Sequence, residues 1–173
     1  GDAAYIEPEW KIRYCVEQGT LMEVLRGDDV VAAQVLWGSR GSLHFLWAGA
    51  AGRGYGAETR GIFPALYYYG LLYAFENGYG EADYCGSRPV LGDGIFQMKR
   101  RWGARVLDGW SRDSLFLRPR TLDGACLDFL ARNAFVERRG GGLACKLLLP
   151  GSAGAADVER AVQQYASDGI REI

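Results

Sequence analysis

Three strand-like runs packed into little more than two dozen residues constrain this chain most: Leu21 to Leu25, Val30 to Trp37 and Leu43 to Trp47. Short connections built on Gly27-Asp28-Asp29 and Gly38-Ser39-Arg40-Gly41 separate them. Both connections have hairpin turn chemistry, and both are far too short for the crossover that a parallel pair needs. An antiparallel meander follows, and a meander must bury one face against something else. Two helices are available. Pro8 to Gln18 reads as one, with Pro8 in the first turn, where its missing N–H costs nothing, and Gly19 just past the end. Pro64 to Asn77 reads as the other and is apolar nearly all the way round, which predicts burial on most sides. A short strand, Glu81 to Tyr84, comes next. After a meander and one covering helix it is expected to join the same sheet as a parallel neighbour, through a right-handed crossover. The fold class expected is α/β in the α+β sense: a mixed, mostly antiparallel sheet flanked by helices.

The second half of the chain is less regular. Arg105 to Trp110 and Ser114 to Leu117 read as a hairpin. Leu122, Cys126, Phe129, Leu130 and Phe135 recur at helical spacing, and Gly140-Gly141-Gly142 ends that element. Leu143 to Leu149 is a last strand, and Ala155 to Ala166 an amphipathic helix with Val158, Ala161, Val162 and Tyr165 inward. At 173 residues the chain fits one domain, 1–173. Within it, 151–173 is a C-terminal helix or the start of a further segment of a longer protein.

Charge excludes some function classes. Twenty basic against 21 acidic residues leaves no overall bias towards nucleic acid or a membrane surface. A local excess of Lys99, Arg100, Arg101, Arg105, Arg112, Arg118 and Arg120 suits an anionic ligand or a solvated basic face. Four scattered cysteines show no metal-ligand spacing and fit reduced thiols in a cytoplasmic protein. The one histidine, His44, reads as a strand residue, which leaves no serine-histidine triad and no histidine-rich metal site. No apolar run spans a bilayer and no signal-peptide pattern opens the chain.

The best lead to function is a lysine in an unexpected place. Asp93 can cap a helix beginning at Gly94. At about 100° per residue, Ile95, Phe96, Met98 and Trp102 fall on one side of it and Gln97 and Arg101 on the other. Lys99 lands in the middle of the apolar side. Either its stem packs on Phe96 and Trp102 while the ammonium reaches water or Asp83, or the ammonium serves a site. Asp83, inside the short strand, is a carboxylate that is expensive to bury without a partner, and Lys99 is a candidate. A glycine-rich loop before the long helix carries Arg53, Gly54, Tyr55, Gly56 and Arg60. Such a loop can offer backbone N–H groups to phosphate, or be a plain connection with solvated arginines.

The order helix, three antiparallel strands, glycine-rich loop, helix, strand, helix resembles the GNAT acyltransferase fold. Within it, Asp83-Tyr84-Cys85-Gly86 followed by Met98-Lys99-Arg100-Arg101-Trp102-Gly103 resembles the D-F/Y-x-G and F-K-x-x-F/W-G motifs of the Fem-type and cellulose-biosynthesis-associated branch. Tyr73 to Gly78 and the hairpin from Asp28 to Val35 are similar to further family features. The resemblance covers Trp10 to Leu117, with Met98 in place of the usual Phe, and the GNAT pyrophosphate motif is absent because Arg53 to Ala57 has different spacing.

What the resemblance implies is transfer of an acyl or aminoacyl group to an amine on a small molecule or peptide, by direct attack on a thioester or ester. The donor is a cosubstrate and not a tightly bound cofactor: acyl-CoA, an acyl carrier protein or aminoacyl-tRNA. Lys99 would neutralise a phosphate or oxyanion, and Asp83 would hold Lys99 or take a proton through water. Arg53, Gly54, Gly56 and Arg60 would lie near donor phosphates, with Tyr84, Arg88, Phe96 and Trp102 lining the cleft. The alternative is a catalytically silent GNAT-like binding module of a larger protein.

Overall fold

In a computed structural model of the protein, the described residues are 7–51, 61–107 and 120–172. They fall into two compact units that divide between Cys85 and Gly86. The architecture is mixed α/β, with five helices, a four-stranded sheet and a three-stranded sheet among the described residues.

The first unit realises the meander. Helix α1 (Glu9–Gln18) leads into β1 (Thr20–Arg26), β2 (Asp29–Ser39) and β3 (Ser42–Ala50). These pair antiparallel in sequence order, Arg26 opposite Asp29 and Ser39 opposite Ser42. Each hairpin turns on two residues. Gly27 has φ +62° in the first turn, and Arg40 and Gly41 have φ +50° and +83° in the second. A turn with both central residues at positive φ matches the right-handed strand twist. Helix α2 (Ile62–Glu76) then crosses over, and β4 (Glu81–Asp83) pairs parallel with β3, completing the order β1-β2-β3-β4. The strand expected after the meander therefore joins the sheet in the orientation expected.

Burial on β2 alternates from Val31 to Gln34 and then runs unbroken through Gln34, Val35 and Leu36, where the register with β3 shifts. Ala32 packs with Ile62 and Leu66 of α2, and Met22, Val24, Val31, Ala50 and Phe63 surround them. Gly70 of α2 lets the Phe45 ring lie against the helix backbone, because a Cβ there would stand 2.5 Å from Cε1 of Phe45. Thr20 on β1 and Tyr73 on α2 share a hydroxyl–hydroxyl bond of 3.0 Å. The helix is not buried on most sides, as its composition suggested. Ile62, Leu66, Tyr67, Gly70 and Ala74 are buried, whereas Tyr68, Tyr69 and Leu72 are exposed and Phe75 is 82% exposed. An all-apolar helix has no polar face to mark its outer side, so sequence periodicity could not show it.

The second unit contains α3 (Gly94–Arg101), α4 (Gly124–Arg132), β5 (Phe135–Arg139), β6 (Gly142–Lys146), α5 (Ala155–Tyr165) and β7 (Ile170–Glu172). β6 lies between β5, antiparallel to it, and β7, parallel to it. The core joins Leu91, Phe96, Ala134, Cys145 and Tyr165, with Val106, Val136, Leu147 and Ile170 packed around them. Phe135 belongs to a strand and not to the preceding helix. Helix α4 stops at Arg132, and Gly140-Gly141 is a two-residue hairpin loop with φ +55° and +78°. In α5, Ala161 and Tyr165 are buried as expected, but Val158 and Val162 are largely exposed. Arg105 to Leu107 lie outside regular structure, and the rest of the expected hairpin to Leu117 lies outside the described residues.

Candidate functional site

Helix α3 is built to bring its lysine inward. The Asp93 carboxylate accepts the N–H groups of Ile95 and Phe96 at 3.0 and 3.2 Å, satisfying two of the helix's unpaired amides. Phe96 sits in the core of the second unit, and Lys99, three residues on, shares its face. Lys99 is 9% exposed, and its Nζ donates to the carbonyl oxygen of Gly86 at 2.7 Å. A buried ammonium is strongly destabilising without acceptors, so this carbonyl is part of what holds the lysine in. The expectation that Lys99 lies on the inner side of the helix is met. Ile95, placed on that side by the same spacing, is exposed instead, and Gln97 turns back to the Leu91 carbonyl.

The segment carrying the Gly86 carbonyl is itself pinned. Pro89 accepts the N–H of Val136 at 2.9 Å, and the N–H of Leu91 reaches the Ala134 carbonyl at 2.8 Å. Val90 bridges Phe135 antiparallel, which extends the edge of β5. From Gly86 to Asp93, then, the chain is held at one end by Lys99, in the middle by the strand edge and at the other end by the cap of α3. Arg88 within it is exposed, and Trp102 is half-buried at the C-terminus of α3, where Gly103 has φ +77°.

In the first unit the sequence candidates are arranged differently from expectation. Asp83 is no buried carboxylate: its side chain is 51% exposed, because β4 is the edge strand. Its Oδ2 lies 2.9 Å from Nδ1 of His44, its partner in the parallel register, and its Oδ1 accepts the N–H of Cys85 at 2.7 Å. Tyr84 faces the other way. It is buried, in ring contact with Phe45 at 5.1 Å and with Tyr67 at 5.0 Å, both edge-on. Burial pushes both phenols above their ordinary range, helped at Tyr67 by the Cys85 thiolate and at Tyr84 by Tyr67. Arg53, Gly54, Gly56 and Arg60 lie outside the described residues.

Sequence reasoning missed one constellation. His44, Asp83 and Cys85 each place one metal-binding atom within 4.8 Å of the others. Spacing gave no signal, since 39 residues separate His44 from Asp83 and only the β3–β4 register joins them. Cys85 adopts φ +58°, a left-handed conformation uncommon for a non-glycine residue, and its Sγ lies 3.9 Å from the Asp83 carbonyl. Elsewhere, Gln34 is 2% exposed with no partner for its Oε1 among the described residues. Among the described residues no helix is long and apolar enough to cross a membrane. No family model, curated protein or solved structure matches the chain.

Proposed function

We propose that the chain is an N-acyltransferase of GNAT or Fem-like type. It would move an acyl or aminoacyl group from a thioester or ester donor to an amine by direct attack. The observation that carries this reading is the buried Lys99 ammonium on the Gly86 carbonyl. It sits in the segment where the family resemblance places its lysine motif. Support also comes from the first unit: an antiparallel meander, a crossover helix and a parallel fourth strand are the order that the resemblance implies. In such a reaction the amine nitrogen bonds to the donor carbonyl carbon, the bond to the leaving sulfur or oxygen breaks, and the amine's proton ends on the leaving group. No covalent enzyme intermediate is needed. The protein's contribution is alignment and stabilisation of the oxyanion. Lys99 acts here as a positioning residue for the 86–93 segment and as a local positive charge. The acceptor is a small-molecule or peptide amine.

A second reading is a catalytically silent binding module, in which the Lys99 bond to the Gly86 carbonyl is purely structural. Lys99→Met separates the two. Under the acyltransferase reading, the variant keeps its circular dichroism spectrum and loses acyl transfer assayed with acyl-CoA, acyl carrier protein and aminoacyl-tRNA donors. Full activity in the variant excludes the role given to Lys99. If the wild type transfers no acyl group and none of the donors raises its melting midpoint, the binding module stands.

A further inference from the structure

We infer that His44, Asp83 and Cys85 form a binding site for a divalent transition-metal ion of the zinc class. This is independent of the acyltransferase reading. The strand order brings the ligands together. In the parallel pairing His44 stands opposite Asp83, so both side chains emerge on one face of the sheet edge. Tyr84 takes the opposite, buried face, as the period-two alternation requires. Cys85 would continue as a third strand residue, but its left-handed turn, fixed by the Asp83 carboxylate on its N–H, keeps the thiol beside the same carboxylate's residue.

The chemistry of the set is selective. Imidazole nitrogen, carboxylate oxygen and thiolate sulfur together suit a borderline ion such as Zn2+, not Mg2+ or Ca2+, which prefer all-oxygen shells. Three protein ligands are the number found in zinc sites that keep a fourth position for water or substrate. Around a tetrahedral ion with bonds of about 2.0–2.3 Å, ligand atoms stand about 3.3–3.7 Å apart. The longest present separation, at most 4.8 Å, therefore needs to close by about 1 Å, while Nδ1 of His44 and Oδ2 of Asp83, now 2.9 Å apart, need to open by about 0.5 Å. Solvent exposure gives the room for that: His44 is 29% and Asp83 51% exposed at the side chain, and Cys85 is exposed. Exposure also gives an aqueous ion its path in.

Metal binding is read directly, without any donor or acceptor. Tag-free protein, kept reduced, is titrated with Co2+ and with Zn2+. The expected result is one equivalent bound, with a thiolate-to-cobalt charge-transfer band in the near ultraviolet and displacement of Co2+ by Zn2+. Because the chain has one histidine, its imidazole proton resonances report on His44 alone, and they are expected to shift on addition of Zn2+. Cys85→Ser, His44→Gln and Asp83→Asn are each expected to weaken binding at least roughly tenfold, with Cys15, Cys126 and Cys145 left in place. Cys85→Ser is also expected to abolish the band. Absence of binding at millimolar ion, a band that survives in Cys85→Ser, or a His44 resonance that does not move would each overturn the proposal. Asp83 and Cys85 are exposed at the end of the edge strand β4 and His44 is part-exposed on its neighbour β3, so circular dichroism is expected to show the variants folded. Should one of them unfold, the His44 resonance in the unmodified protein decides the matter alone.

Discussion

His44 on β3 and Asp83 on β4 are direct partners in the parallel pairing of the four-stranded sheet, with Nδ1 and Oδ2 2.9 Å apart. The same carboxylate accepts the N–H of Cys85 and so fixes the left-handed turn that ends the strand. Of these two bonds, the one to the backbone matters more for stability, because a side-chain pair this open to solvent contributes little.

The contrast can be measured at Asp83. Asparagine retains an oxygen that accepts the Cys85 N–H, whereas alanine does not. Asp83→Asn is expected to fall within about 0.5 kcal/mol of the wild type, and Asp83→Ala to lose about 1 kcal/mol more. Urea denaturation of the two variants side by side gives the difference. Equal midpoints would mean that the turn holds without the carboxylate.

Gly70 offers a sharper test of packing. In the middle of a helix, glycine to alanine ordinarily gains up to about 1 kcal/mol. Here the new methyl would meet the Phe45 ring at 2.5 and 2.8 Å, and that ring is held by Tyr67 at 5.7 Å and Tyr84 at 5.1 Å. Gly70→Ala is therefore expected to destabilise by about 1–3 kcal/mol. Combining it with Phe45→Leu, which removes the ring, is expected to cost less than the sum of the two single changes. Additive losses in denaturant titrations would show that the ring can move aside.

The first unit was legible because its constraints are local. Two-residue turns dictate antiparallel neighbours, and the crossover rule then fixes the fourth strand. Lys99 was legible for a related reason, since the side of a helix that a residue occupies follows from its spacing to Phe96. What eluded the sequence was set at long range or by ambiguous patterns. Phe135 continues the helical spacing of Leu122, Cys126 and Phe129, and only the paired positive φ values at Gly140 and Gly141 place it in a hairpin. The exposed face of α2 is as apolar as its buried face. Asp83 was read as a buried strand carboxylate because nothing in three residues says that a strand lies at an edge. His44 and Cys85 became neighbours of that carboxylate through the β3–β4 register, which no spacing encodes.

Alkaline pH is expected to destabilise both units, for reasons that differ in position but share a sign. Burial raises Tyr67 and Tyr84 in the first unit and Cys145 in the second. Each is neutral when protonated, so a raised folded-state value means that the folded chain holds its proton where the unfolded chain has released it. Stability is then complete below the unfolded-state values, about 8.5 for a thiol and about 10 for a phenol, and falls as pH rises through the folded-state values. Urea midpoints followed by circular dichroism from neutral to alkaline pH are expected to show a plateau and then a decline beginning above those values. Tyr84→Phe keeps the ring contacts with Phe45 and Tyr67 but removes one titrating group. Its alkaline loss of stability is expected to be shallower than that of the wild type. An identical pH profile in the two proteins would mean that the Tyr84 phenol titrates alike in the folded and unfolded chains, and that the burial seen at this site does not hold its proton.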